Sequence, residues 1–166
     1  MFEVVVGLIA GSIGATAMFA ARTPEMRTEP HDTSLLLARI SGGDPHSYPT
    51  LGALLQVGYG AALGGAFAFV TARVPGWSVS TSEWTTAIPD WTLSVPAWDE
   101  RLWLVGLLYG ILLAIVGLGF WAPLIGLQER LDALDPHDRG RRTAMLVGAH
   151  VMYGVILGAL LQVLTA

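Results

Sequence analysis

Four runs without a charged residue divide the chain, over positions 4–21, 51–72, 102–127 and 143–166. A hydrocarbon layer about 30 Å thick takes roughly 20 apolar residues at helical rise, and each run approaches or exceeds that length. Backbone polar groups in lipid must be satisfied within their own segment, so such runs predict spanning helices. The stretches between the runs differ in character. Positions 33–41 and 127–134 mix apolar and polar residues at helical spacing and predict short amphipathic helices outside the membrane. Positions 74–101 are rich in Ser, Thr, Pro and Trp and predict an irregular loop. The first run ends in Ala17-Met18-Phe19-Ala20-Ala21, which looks cleavable. Glu3 stands where a signal peptide carries Lys or Arg, however, so the run reads as a retained helix.

Composition points the same way. The chain is 53% hydrophobic and 13% charged, with a mean hydropathy of +0.57. Soluble domains carry about 25% charged residues. The balance excludes a disordered chain and a nucleic-acid binder, which needs a basic stripe. It also argues against a water-soluble enzyme. There is no cysteine, hence no disulfide, thiolate nucleophile or Cys-ligated metal. The net charge of −4 comes with nine arginines and no lysine, a weak pointer to a GC-rich or salt-loving source.

The arginines set the orientation. Arg22, Arg27 and Arg39 lie between the first two runs, and Arg130, Arg139, Arg141 and Arg142 between the last two. Only Arg73 and Arg101 flank the middle connection. The positive-inside bias therefore places the first and third connections in the cytoplasm and both termini, with loop 74–101, outside. The expected location is the cell membrane, crossed four times.

An internal repeat runs through this pattern. Gly7, Gly11 and Pro24 recur as Gly106, Gly110 and Pro123. Asp44-Pro45-His46 recurs as Asp135-Pro136-His137. Gln56-Val57-Gly58-Tyr59-Gly60, with Leu63-Gly64, recurs as His150-Val151-Met152-Tyr153-Gly154, with Leu157-Gly158. The expected fold is an all-α integral membrane protein of four transmembrane helices. It reads as a duplicated two-helix unit with parallel pseudo-two-fold symmetry. The first repeat covers 1–73 and the second 102–166, with a cytoplasmic loop at 128–142. Each span carries one GxxxG: Gly7/Gly11, Gly60/Gly64, Gly106/Gly110 and Gly154/Gly158. Residues four apart share a helical face, and paired glycines let backbones approach closely where lipid supplies no hydrophobic push. Packing within the bundle and an oligomerisation face both fit.

Chemistry-bearing residues are few. No Asp, Glu, Lys or Arg lies in a span, which argues against a proton- or ion-coupled pump. One polar layer remains: Gln56 and His150 at repeat-equivalent positions, with Tyr59 and Tyr153 three residues on. It is either a ligand or pore layer or interhelical hydrogen-bonding glue, worth about 0.6 kcal/mol per bond. The two Asp-Pro-His triplets bring His46, His137 and Asp135 into view as metal ligands. Asp before Pro is also a helix N-cap with Pro at N1, which explains both copies without a metal. The expectation is therefore no metal and no cofactor. Trp77, Trp84, Trp91 and Trp98 fall at intervals of seven in the outer loop. Pro89 and Pro96 forbid one continuous helix there, so the stretch reads as two short extended arms, 77–86 and 91–98, turning at Ile88-Pro89-Asp90, which either lie on the outer leaflet or dock a partner. No phosphate loop, zinc motif or nucleophile–base pair is present. No enzymatic activity is expected.

The last span, His150-x-x-Tyr153-Gly154-x-x-x-Gly158, and the first, Gly7-x-x-x-Gly11 leading to Pro24, resemble those of small prokaryotic integral membrane proteins of the YagU-like group. The resemblance covers about half the chain and implies a small inner-membrane protein with no established reaction. Two functional expectations follow. The first is a structural or accessory subunit that packs through its glycine faces and tryptophan loop against other membrane subunits or itself. The second is a passive channel or carrier for a small neutral solute, lined by Gln56, Tyr59, His150 and Tyr153. Nucleic acid is not expected as a partner; the lipid bilayer is.

Overall fold

Capping and turn chemistry set the helix ends more sharply than hydropathy does. The computed structural model describes residues 1–20, 32–73 and 101–165, which are helical with short connections and contain no strand. The helices are α1 (Phe2–Ala20), α2 (Asp32–Ser41), α3 (Pro49–Thr71), α4 (Leu102–Ile125), α5 (Leu127–Asp132) and α6 (Pro136–Thr165). Four of them, α1, α3, α4 and α6, are long and apolar enough to cross a membrane. The tryptophans expected at the outer loop, like Pro24, Arg22 and Arg27, lie outside the described residues.

The largest departure from the hydropathy pattern is in the third connection. α5 (Leu127–Asp132) falls within the amphipathic helix expected over 127–134, but the rest of the expected cytoplasmic loop at 128–142 is largely the first turns of α6, which begins at Pro136 rather than 143. The Asp135 carboxylate accepts hydrogen bonds from the backbone N–H groups of His137 and Asp138, both at 3.0 Å. A capped start with Pro at the first position carries the helix through charged residues that a hydropathy window excludes. The third span also ends two residues early. Gly126 adopts φ 77°, a left-handed conformation suited to glycine, which separates α4 from α5. Within α4, residues Gly117–Trp121 form a π-helical turn closed by the Ala122 N–H bonding to Gly117 O.

Small residues line the close helix contacts, and many large apolar ones face outward. Ala10, Ala15, Ala68 and Ala114 are buried, together with all eight GxxxG glycines. Leu54, Leu112, Ile115 and Phe120 are exposed. This inverts the pattern of a water-soluble bundle and suits helices whose outer face is solvated by lipid. α1 packs along α3, α4 packs along α6, and α1 and α6 join the two pairs. One core runs between the spans through Val6, Ala10, Phe67, Ala68, Tyr153, Leu157 and Leu161. A second core at one end gathers Leu35 of α2, Ala122 and Ile125 of α4, and Leu127 and Leu131 of α5. The first and third connections therefore lie on the same side of the bundle.

Hydrogen bonds fix α2 to the start of α3. The buried Thr33 hydroxyl donates to Gly52 O at 2.5 Å, and Ser34 donates to Tyr48 O at 3.0 Å. At the other end of this layer, the Arg139 guanidinium donates to the carbonyls of Leu131 and Asp132 at 3.3 and 3.4 Å. It thereby satisfies carbonyls left open at the α5 C-terminus. The positive-inside bias accounted for this arginine in the sequence; in the fold it also has a local structural role.

Candidate functional site

Glycine pairing determines where space is left. A Cβ on Gly64 would overlap the Gly7 carbonyl oxygen, and one on Gly60 would overlap the Ala15 methyl. In the second half, a Cβ on Gly106 would overlap Gly154 O, and one on Gly110 would overlap His150 O. All eight glycines thus face other parts of the same chain, where their missing side chains admit a neighbouring backbone. Such close approach fills the middle of the bundle. The Tyr153 hydroxyl donates to Gly60 O at 2.6 Å and crosses from α6 to α3. Tyr109 donates to Leu63 O at 3.1 Å, from α4 to the same helix. The Tyr109 ring lies 4.8 Å from that of Phe67.

Toward the α2 and α5 end the helices diverge around a cavity of about 360 Å³, which falls within the usual range for small-molecule sites. α3 contributes Leu55, Gln56, Gly58 and Tyr59, and α6 contributes Leu146, Ala149 and His150. α4 supplies Gly117, Leu118 and Trp121 from the π-helical turn. Asp32, Thr33 and Leu36 of α2 and Leu127 of α5 complete the end wall, and Met18 closes the α1 side. The walls are mostly apolar with a few polar groups, the usual make-up of a ligand pocket.

Three of the four residues of the predicted polar layer meet here: Gln56, Tyr59 and His150. Tyr153 is set apart. It is buried in the bundle core, and its hydroxyl is taken up by Gly60. Although three residues separate tyrosine from polar residue in both halves, the environments differ. Tyr59 is 44% exposed and lies parallel to Trp121, with ring centroids 6.2 Å apart and planes 10° from parallel. The His150 ring has a defined tautomer. Its Nδ1 lies 2.8 Å from Leu146 O, and a carbonyl can only accept, so Nδ1–H donates. In the neutral imidazole Nε2 is then an acceptor. Nε2 faces Gly117, whose Cβ position lies 3.6 Å away. Glycine at that point leaves the ring edge open to the cavity.

Asp32, Trp121 and the π-helical turn were not foreseen as parts of the site. Trp121 is one of two tryptophans outside the predicted loop, and that difference was the available signal. A π-helical turn has no signature in apolar sequence.

The Asp-Pro-His triplets are elsewhere. Asp44 accepts from the His46 N–H at 3.0 Å and caps the single turn Pro45–Ser47, as Asp135 caps α6. Donor atoms of Asp135, His137 and Asp138 come within 4.8 Å of one another on an exposed surface. The capping bonds already engage the Asp135 oxygen, and His137 Nδ1 sits 3.5 Å from Asp138. No protein-family model, curated protein or solved structure matches the chain.

Proposed function

We propose that this chain is a multi-pass helical protein of a prokaryotic inner membrane that binds a small molecule in the cavity between α3, α4 and α6, without catalysing a reaction. One observation carries the reading: Gln56, Tyr59 and His150, from opposite halves of the chain, line a single ligand-sized space. A core filled by Tyr153, Leu157 and Leu161 beyond that space favours a blind pocket over an open pore. Carrier behaviour would then need a second conformation. The accessory-subunit reading loses part of its support because the eight glycines are used within the chain. It would have to act through the lipid-facing side chains and the loop at 74–101.

The same proposal includes a duplicated two-helix unit with a parallel pseudo-two-fold. In support, each half packs its first span on its second through a glycine pair and places an Asp-Pro-His cap before the second span. The common side of α2 and α5 agrees with cytoplasmic first and third connections and outward termini.

The test uses Gly58, which lines the cavity and has no atom within 4 Å of its Cβ position. Gly58→Trp introduces a bulky side chain at the cavity lining from a Cβ position that itself meets no atom. Protein purified from its own membranes in nanodiscs is extracted with solvent, and its small-molecule content is measured by mass spectrometry. A compound retained by the wild type and absent from Gly58→Trp is the expected result. Identical extracts from the two proteins would overturn the proposal.

A further inference from the structure

Resting on the pocket reading above, we infer that the ligand is a neutral amphiphile with a hydroxyl-bearing head and a hydrocarbon tail, which enters from the bilayer between α3 and α4. The Gln56 amide, the Tyr59 hydroxyl and His150 Nε2 belong to residues that line the cavity, and none of the three has a hydrogen-bond partner among the described residues. The Thr33 hydroxyl, by contrast, is taken up by Gly52 O. Polar groups left unmet at membrane depth cost free energy, so an occupant that meets them is favoured over plain hydrocarbon. His150 sets which occupant. Leu146 O holds its Nδ1–H, and Nε2 of the neutral ring can only accept. That edge of the ring faces Gly117, whose Cβ position lies 3.6 Å from Nε2 and 3.8 Å from Cε1. The ligand must therefore bring a donor. Gln56 and Tyr59 can each donate as well as accept, so the oxygen of the same hydroxyl suits them. Ethers, ketones and esters lack the donor, and a charged head is costly to carry through hydrocarbon.

The route follows from helix packing. α3 packs along α1 and α4 along α6, whereas α3 and α4 do not pack along each other. Side chains bridge them instead: Tyr109 reaches Leu63 O and the Phe67 ring, and Tyr59 stacks on Trp121. Tyr59 follows the Pro49 start of α3 by about 15 Å at helical rise, half of a hydrocarbon layer about 30 Å thick. Leu55 and Tyr59 are nonetheless 40% and 44% exposed. Exposure at that depth is exposure to lipid, so the cavity wall opens sideways. Leu55 and Leu118 flank this seam from the two helices and give the tail an apolar path outward.

The experiment compares para-hexylphenol with para-hexylanisole, its methyl ether, on the full-length protein in nanodiscs of zwitterionic lipid. Binding is read by equilibrium dialysis, with empty nanodiscs giving the partition control and affinities referred to the concentration in lipid. The phenol should bind about threefold to tenfold more tightly, the net worth of one hydrogen bond between neutral groups. His150→Phe should erase that preference. Gly117→Ala should shrink it, because the added methyl meets Nε2 at ordinary contact distance and covers the ring edge without striking another atom. Para-hexadecylphenol, supplied within the disc lipid, should displace para-hexylphenol, since its long tail can remain in the bilayer. Equal binding of phenol and ether, a preference that survives both variants, or failure of the membrane-confined phenol to compete would overturn the inference and leave the pocket reading intact. Binding of neither short probe, or binding unaffected by Gly58→Trp, would overturn it as well, and the solvent extracts described above then decide the pocket reading separately.

Discussion

Replacing Gly64 by alanine separates the steric demand of the glycine face from helix propensity. The added Cβ would overlap Gly7 O and lie 2.7 Å from Gly11 Cα and 2.9 Å from Gly11 N. Those are backbone atoms and cannot rotate away. Carbon pairs settle at about 3.5–4.0 Å, so α1 and α3 would have to separate by about 1 Å along their contact. Overpacking of this kind costs about 1–3 kcal/mol. Against it stands the gain of about 0.8–1.0 kcal/mol for alanine over glycine within a helix. Gly58→Ala on the same helix has the same propensity gain and no atom within 4 Å to meet. Propensity cancels in the comparison, which leaves Gly64→Ala less stable than Gly58→Ala by about 1–3 kcal/mol. Gly154→Ala against Gly148→Ala repeats the test on α6, since Gly154 would strike Gly106 and Gly110 while Gly148 is open. The assay is reversible unfolding in mixed micelles titrated with SDS and followed by far-UV circular dichroism. Equal stability within either pair, or the reverse order, would refute close backbone packing at these glycines.

Other expectations follow from single interactions. Tyr153→Phe removes the donor to Gly60 O and should lower stability by about 0.6 kcal/mol, with about 1.7 as an upper bound, in the same titration. Ser34→Ala removes the bond to Tyr48 O and should cost about 1 kcal/mol. Amide exchange should then rise in α2 while α3 stays protected beyond its first turn. Asp135→Ala removes the α6 cap and should cost about 0.5–2 kcal/mol, with faster exchange at the His137 and Asp138 amides.

Legibility in the sequence followed the physics of each element. Uncharged runs show the spans because lipid enforces apolar length, and four helices of that kind are present. Their ends were less visible. Arg139, Arg141 and Arg142 look like loop in a hydropathy window, yet the Asp135 cap extends α6 through them. Gly126 needed a positive φ to mark the end of α4, which no period reveals. At the site, spacing brought Gln56, Tyr59 and His150 forward because polar side chains stand out in apolar helices. It could not separate Tyr59 from Tyr153, whose difference lies in which neighbour each ring meets. Asp32 and Trp121 join the cavity through tertiary packing of α2 and the π-helical turn, which leaves no local trace.

That the spans close around an open, ligand-sized cavity is tested most directly by single-cysteine reactivity, since the chain has no cysteine of its own. Gly58→Cys and Ala149→Cys place a thiol on the cavity wall, whereas Ala68→Cys places one at a position 1% exposed in the bundle core. Each variant is treated in native membranes with N-ethylmaleimide, and labelling is quantified by intact-protein mass spectrometry. The cavity thiols should react readily and the core thiol should stay protected, because only a thiol reached by water forms the reactive thiolate. Gly58→Cys and Ala149→Cys as inert as Ala68→Cys would contradict an open cavity and the function built on it.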